Sequence, residues 1–169
     1  VEMQAQIERC GAEFHNYGHD SMDVPAMFAQ GSRVFAKPLQ TFPALPHLMP
    51  DLTQQMRSYK PHLILYEASI VWGYLLARTL ALPSACICTM TVGTTLGSMN
   101  ELIARSFEAD AAVEAANRWV VEQYGIDLKR ESEPFFHYSR DLNIVATCRQ
   151  FTPQPYHRHA PLKVAPTSF

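Results

Sequence analysis

Residues 61 to 88, PHLILYEASIVWGYLLARTLALPSACIC, limit what this chain can fold into more than any other stretch. Two short apolar runs, HLILYE and SACICTM, flank SIVWGYLLARTL, whose apolar spacing is that of a helix. Strand, helix and strand joined this tightly, with strands apolar enough to be buried on both faces, predict a parallel βαβ unit with a right-handed crossover. One residue breaks the pattern. Glu67 ends the first apolar run, where a carboxylate inside the strand would have to be desolvated or protonated.

The rest of the chain can be fitted around that unit. VEMQAQIERCGAEF reads as the tail of a helix with Gly11 as its cap, so the chain looks as though it begins mid-unit, without the strand that normally precedes such a helix. Residues 20–41 mix turn residues with short apolar groups and read as loop and irregular helix. From 42 to 59, Leu45, Leu48, Met49, Leu52 and Met56 recur at spacings of three and four, one helix face, with Pro50 either in its first turns or starting a new helix. Residues 99–124 are rich in Ala, Glu and Leu and end before Gly125, which predicts a further helix. Segments 141–148 and 162–166 read as the last two strands.

These pieces make an α/β protein: a Rossmann-like open parallel sheet with helices on both faces, in one domain spanning 1–169. In such sheets ligands bind beyond the carboxyl ends of the strands, where Glu67 lies. Two roles are open to it there. It can be a helix N-terminal acid, worth about 0.3–1 kcal/mol through the dipole, or a functional carboxylate.

Composition excludes several classes. A net charge of -2, with fourteen basic residues that form no stripe, gives no field for nucleic acid. No apolar run reaches the ~20 residues of a membrane span, because Glu67, Arg78 and Pro83 interrupt the best candidate. Cys10, Cys86, Cys88 and Cys148 lack metal-site spacing, and reduced thiols in a cytoplasmic protein are the expectation. Cys86 and Cys88, two apart on a strand, share one face as a thiol pair or as small apolar packing. His15 and His19 have i, i+4 spacing but no further ligands, so no metal site is expected.

Four stretches carry a resemblance. KPHLILYEASIVWGYLLARTLALPSACICT is similar to the acceptor-domain segment of the macrolide-type glycosyltransferases, in the UDP-glycosyltransferase superfamily with the GT-B fold. IERCGAEFHNYG resembles that family's exit from its first helix into a second strand, SRDLNIVATCRQFTPQP its late strand and following loop, and LKVAPTSF the strand closing the acceptor domain. The resemblance implies the N-terminal, acceptor-binding half of a GT-B fold, lacking its first strand and the nucleotide-sugar domain that would follow Phe169.

The family moves a hexose from a UDP-sugar to an acceptor hydroxyl with inversion, using a His base and an Asp that orients it. Glu67 aligns with that Asp, one methylene longer. The orienter's task is physical: a carboxylate hydrogen-bonded to the far imidazole nitrogen selects the tautomer and stabilises the imidazolium. None of the seven histidines stands where the family's base would, so Glu67 is expected to be the orienter of a His outside this chain. No cofactor is expected; the UDP-sugar is the complete enzyme's donor substrate, and a small hydrophobic molecule is its acceptor.

The loop 89–100 would face that acceptor through Met90, Thr91, Val92 and Gly93, or be plain connecting loop. Trp72 is either an acceptor-facing aromatic or a helix-to-sheet packing residue, and Phe135 and Phe136 read as core. With base and donor site elsewhere, the chain alone is expected to be inactive. The alternative is a non-catalytic remnant, or a small-molecule- or partner-binding domain on the same fold.

Overall fold

Four short strands lie in the sheet in chain order and all run parallel: β1 (Ile64–Glu67), β2 (Ser84–Cys88), β3 (Leu142–Val145) and β4 (Leu162–Val164). The computed structural model describes residues 4–15, 42–88, 110–131, 138–145 and 162–164. Tyr66 pairs in register with Cys86, and Cys86 with Asn143, so these three share one face, while Glu67 pairs with Ile87 on the other.

The helices are α1 (Gln4–Arg9), α2 (Leu45–Tyr59), α3 (Val71–Thr79), α4 (Ala111–Tyr124) and α5 (Leu128–Glu131), with a short 3-10 turn, Phe42–Ala44, leading into α2. As expected, Gly11 follows α1 in the left-handed region, at φ 81°. Helix α2 runs unbroken through Pro50, which is exposed, and buries Leu45, Leu48, Met49 and Leu52. Its C-terminus is closed by Lys60, left-handed at φ 50°, whose N–H donates to the Met56 carbonyl at 2.9 Å. Helix α4 starts on the Asp110 carboxylate, which accepts from the Ala112 N–H at 2.9 Å, and stops at Gly125, where φ is 66°. The first part of the helix expected over 99–124 lies outside the described residues.

Every residue of α3 from Val71 to Ala77 is buried. The helix is wedged between β1 and α2, and α4 packs on α2 in turn, so one core joins the helices to Ile64, Tyr66, Cys86 and Cys88 of the sheet. Contact with β1 is made at Gly73. A Cβ built there would lie 2.5 Å from Tyr66 Cβ, a distance only glycine can permit.

Two expectations need correction. Burial of the strands on both faces holds at the centre of β2, where Ala85 is 4% exposed and Cys86 0%. It fails for β1, where Leu65 is 57% exposed, because β1 is the edge of the sheet among the described residues and nothing among them pairs with its outer side. The second strand expected around AEFHNYG is not formed by residues 12–15, which have no ladder partner. They are held by side chains instead: His15 stacks edge-on against Tyr59 with ring centroids 4.8 Å apart, its Nε2 on the Tyr59 hydroxyl and 3.0 Å from Glu13 Oε1.

A polar knot fastens α5 to α3. Tyr74 donates to Glu131 Oε2 at 2.8 Å, Arg78 donates to the same oxygen, and Arg78 also donates to the Tyr74 hydroxyl at 2.6 Å. Partial burial works against ionisation of Glu131, but the hydrogen bonds from Arg78 and Tyr74 outweigh it and hold the carboxyl below the usual carboxylate range. A depressed folded-state value contributes stability above the unfolded value, near 4.3, that is lost as pH falls through the folded one. We therefore expect Glu131→Gln to lower the urea midpoint at neutral pH and the gap to the native chain to close below about pH 4. A gap independent of pH would show that the knot does not depend on charge.

Candidate functional site

Glu67 is the last residue of β1, at the carboxyl end of the sheet, as the sequence places it. The chain turns there at once: the Ala68 N–H donates to the Ile87 carbonyl of β2 at 2.9 Å, and the Ile70 N–H donates back to the Glu67 carbonyl at 2.9 Å. The side chain follows the turn. Glu67 Oε2 accepts from the Ser69 N–H at 2.8 Å and from the Ser69 hydroxyl, one residue short of the Ile70 cap of α3. The carboxylate is thus half-buried, solvated by the loop that starts the helix, and fixed in orientation by two donors.

An apolar groove of about 380 Å³, with Glu67 among its lining residues, runs along β1, the edge of the sheet among the described residues. Leu52 and Met56 of α2 and Trp72 and Leu76 of α3 wall it, with Leu63 and Leu65 at the strand edge. A cavity this size, mostly apolar with one oriented polar group at its end, has the make-up of a small-molecule site. Trp72 is buried, 5% exposed, in the core between helix and sheet, and it is one of the residues that line the groove.

Met90, Thr91, Val92 and Gly93 lie outside the described residues, as do His19, Phe135, Phe136 and Cys148. Among the described residues no group of three His, Cys, Asp or Glu side chains could hold a metal. No described helix is long and apolar enough to cross a membrane. Cys86 and Cys88 are free and buried, their sulfurs 3.9 Å apart on one face. Their hydrogen bond, with burial behind it, pushes the Cys86 thiol well up, while the same bond holds the Cys88 thiol below its usual range. His15 lies with Tyr59 where α2 leads into β1, away from the end that carries Glu67.

Sequence reading missed Gly73, on whose bare backbone both the strand and the groove depend, and Asn143. The only local signal for either is a glycine inside a helical run and an amide inside an apolar strand.

Two solved structures share this fold. The crystal structure of CalG4, the calicheamicin glycosyltransferase, superposes with a TM-score of 0.60 at 17% identity, covering 90% of this chain and 40% of that one. The glycotransferase of kitacinnamycin gives a TM-score of 0.55 at 17% identity, covering 90% of this chain and 38% of that one. The chain has the fold of part of a GT-B glycosyltransferase. No protein-family model matches it, and no curated protein sequence does. The chain spans about 40% of the length of the solved structures it matches, and at 17% identity the likeness is one of fold. Within that fold, Glu67 occupies the strand-end region where open parallel sheets take ligands, and the groove runs back from it along β1.

Proposed function

We propose that the chain is the acceptor-binding portion of an inverting glycosyltransferase that moves a hexose from a UDP-sugar to a hydroxyl of a small hydrophobic acceptor. The observation that carries this reading is the apolar groove ending on the Glu67 carboxylate, in a glycosyltransferase-like fold. The groove would hold the acceptor's apolar body with its hydroxyl toward Glu67. A histidine from outside this chain would take the hydroxyl proton, and Glu67, its pose fixed by Ser69, would position the imidazole and stabilise its charge. The donor sugar would be held by a separate nucleotide-sugar domain, and the chain by itself transfers nothing. The Ser69 bonds also favour a second reading, a non-catalytic binding domain in which Glu67 only pins the turn into α3.

Two measurements test this. In a Trp119→Phe background, naphthol should quench Trp72 fluorescence saturably, and Leu76→Asp should abolish the quench; no saturable binding would remove the acceptor role. Incubated with UDP-glucose and naphthol, the native chain should release no UDP. Turnover would overturn the assignment of base and donor site to other parts. If the chain binds naphthol but still transfers nothing when joined with a base-bearing strand and a nucleotide-sugar domain, the non-catalytic reading stands.

A further inference from the structure

The opposite end of the sheet holds a second cleft, of about 260 Å³, which the acceptor reading does not use. It opens where β2 and β3 begin, and its walls include Tyr66, Tyr74, Arg78, Ser84, Arg140 and Asp141. Much of this polar surface is committed internally. Ser84 donates its N–H to Asp141 Oδ2 at 2.9 Å and shares a 2.8 Å hydroxyl contact with Ser139, while Arg78 and Tyr74 are taken by Glu131.

Three groups remain available. Tyr66 is 6% exposed, and its hydroxyl has no hydrogen-bond partner among the described residues. Leaving a buried hydroxyl unpaired costs about 1–3 kcal/mol, which a ligand could recover. The phenol lies within electrostatic reach of Tyr74 and Asp141, both walls of the cleft. Asp141 uses only Oδ2 among the described residues, so Oδ1 is open. Arg140 is 69% exposed and has, among the described residues, one charged contact, Glu131 at 3.8 Å.

We infer that this cleft binds a neutral, hydroxyl-rich small molecule the size of a single sugar ring. Charge decides the class. Arg78 and Arg140 oppose a cation, whereas Asp141 in the wall and Glu131 on both arginines oppose an anion. A vicinal diol satisfies all three open groups at once: one hydroxyl donates to Asp141 and accepts from Arg140, and its neighbour pairs with Tyr66. The volume is below the ~300–1,000 Å³ of sites for drug-sized ligands, which suits one ring rather than a nucleotide.

The test is titration of the isotopically labelled chain with glucose, myo-inositol and inorganic phosphate, read by backbone amide shifts. Glucose or inositol should shift the Ser84, Ser139 and Asp141 amides saturably. Tyr66→Phe should weaken that binding about tenfold, as expected for one buried hydrogen bond, with thermal stability unchanged or higher because an unpaired hydroxyl has been removed. Asp141→Asn should weaken it as well. Absence of a saturable shift with either polyol, saturation by phosphate alone, or unaltered polyol binding by folded Tyr66→Phe would each overturn the inference. If Tyr66→Phe lowers the melting temperature of the empty chain, the hydroxyl has a structural partner and the inference also fails.

Discussion

Gly73→Ala should lower the melting temperature, by up to roughly 8 °C, although the same change in an ordinary helix interior is stabilising. Alanine gains about 1 kcal/mol over glycine in a helix, and α3 would keep that gain. Against it stands a methyl group 2.5 Å from Tyr66 Cβ and 2.9 Å from Cγ. Neither atom is the loose end of a side chain. Tyr66 Cβ is fixed by β1, which is tied to β2, so helix and strand must separate. Overpacking of this kind costs about 1–3 kcal/mol, and with Val71 to Ala77 all buried, α3 has no free side to move toward. Truncating Tyr66 to Ala would not relieve the clash, because the nearest atom is the one that truncation leaves. The groove shares this contact, so naphthol binding should weaken along with stability. Differential scanning calorimetry decides it: an unchanged or raised melting temperature for Gly73→Ala would mean that α3 does not press on β1 as described.

The sequence disclosed the elements better than their contacts. Periodicity located α2, α3, β1 and β2 because spacing alone determines which residues of a local segment share a face, and Gly125 marked the end of α4 because a left-handed cap suits glycine. Glu67 was legible as a strand-end acid for the same local reason. Its bond to Ser69 was not, since the turn between them is set by β2 and α3 together. The exposure of Leu65 was hidden because edge status depends on which strands pair, and an edge and a central strand can have the same apolar run. Gly73 carried no legible role, because the contact that requires a glycine there is tertiary. Asn143 read as one polar letter in DLNIV, and its partner lies in the irregular stretch before the strand.

That partner makes Asn143 the position with the largest expected loss. Asn143 is 1% exposed and Ser139 2%. The Ser139 N–H donates to Asn143 Oδ1 at 2.9 Å, and Asn143 Nδ2 donates to the Ser139 carbonyl at 2.8 Å, so one amide satisfies both backbone groups of a buried residue. Ser139 in turn holds β2, its hydroxyl donating to the Ser84 carbonyl at 2.8 Å. In Asn143→Leu both Ser139 groups stay buried and unpaired, at about 1–3 kcal/mol each, a large share of the ~5–15 kcal/mol that stabilises a domain. The deficit, read as a urea midpoint, should be nearly independent of pH. Asn143→Asp behaves differently. Its carboxylate can accept from the Ser139 N–H but must face the Ser139 carbonyl, whereas the protonated acid can donate to that carbonyl and restore both bonds. Burial and the facing oxygen raise its folded-state value above the ~3.9 of an unfolded aspartate. The contribution is then complete below the unfolded value and is lost as pH rises through the folded one. Measured against the native chain at each pH, the Asn143→Asp deficit should shrink as the solution is acidified while the Asn143→Leu deficit does not. Parallel deficits at every pH would show that the clamp on Ser139 does not set the stability of β3.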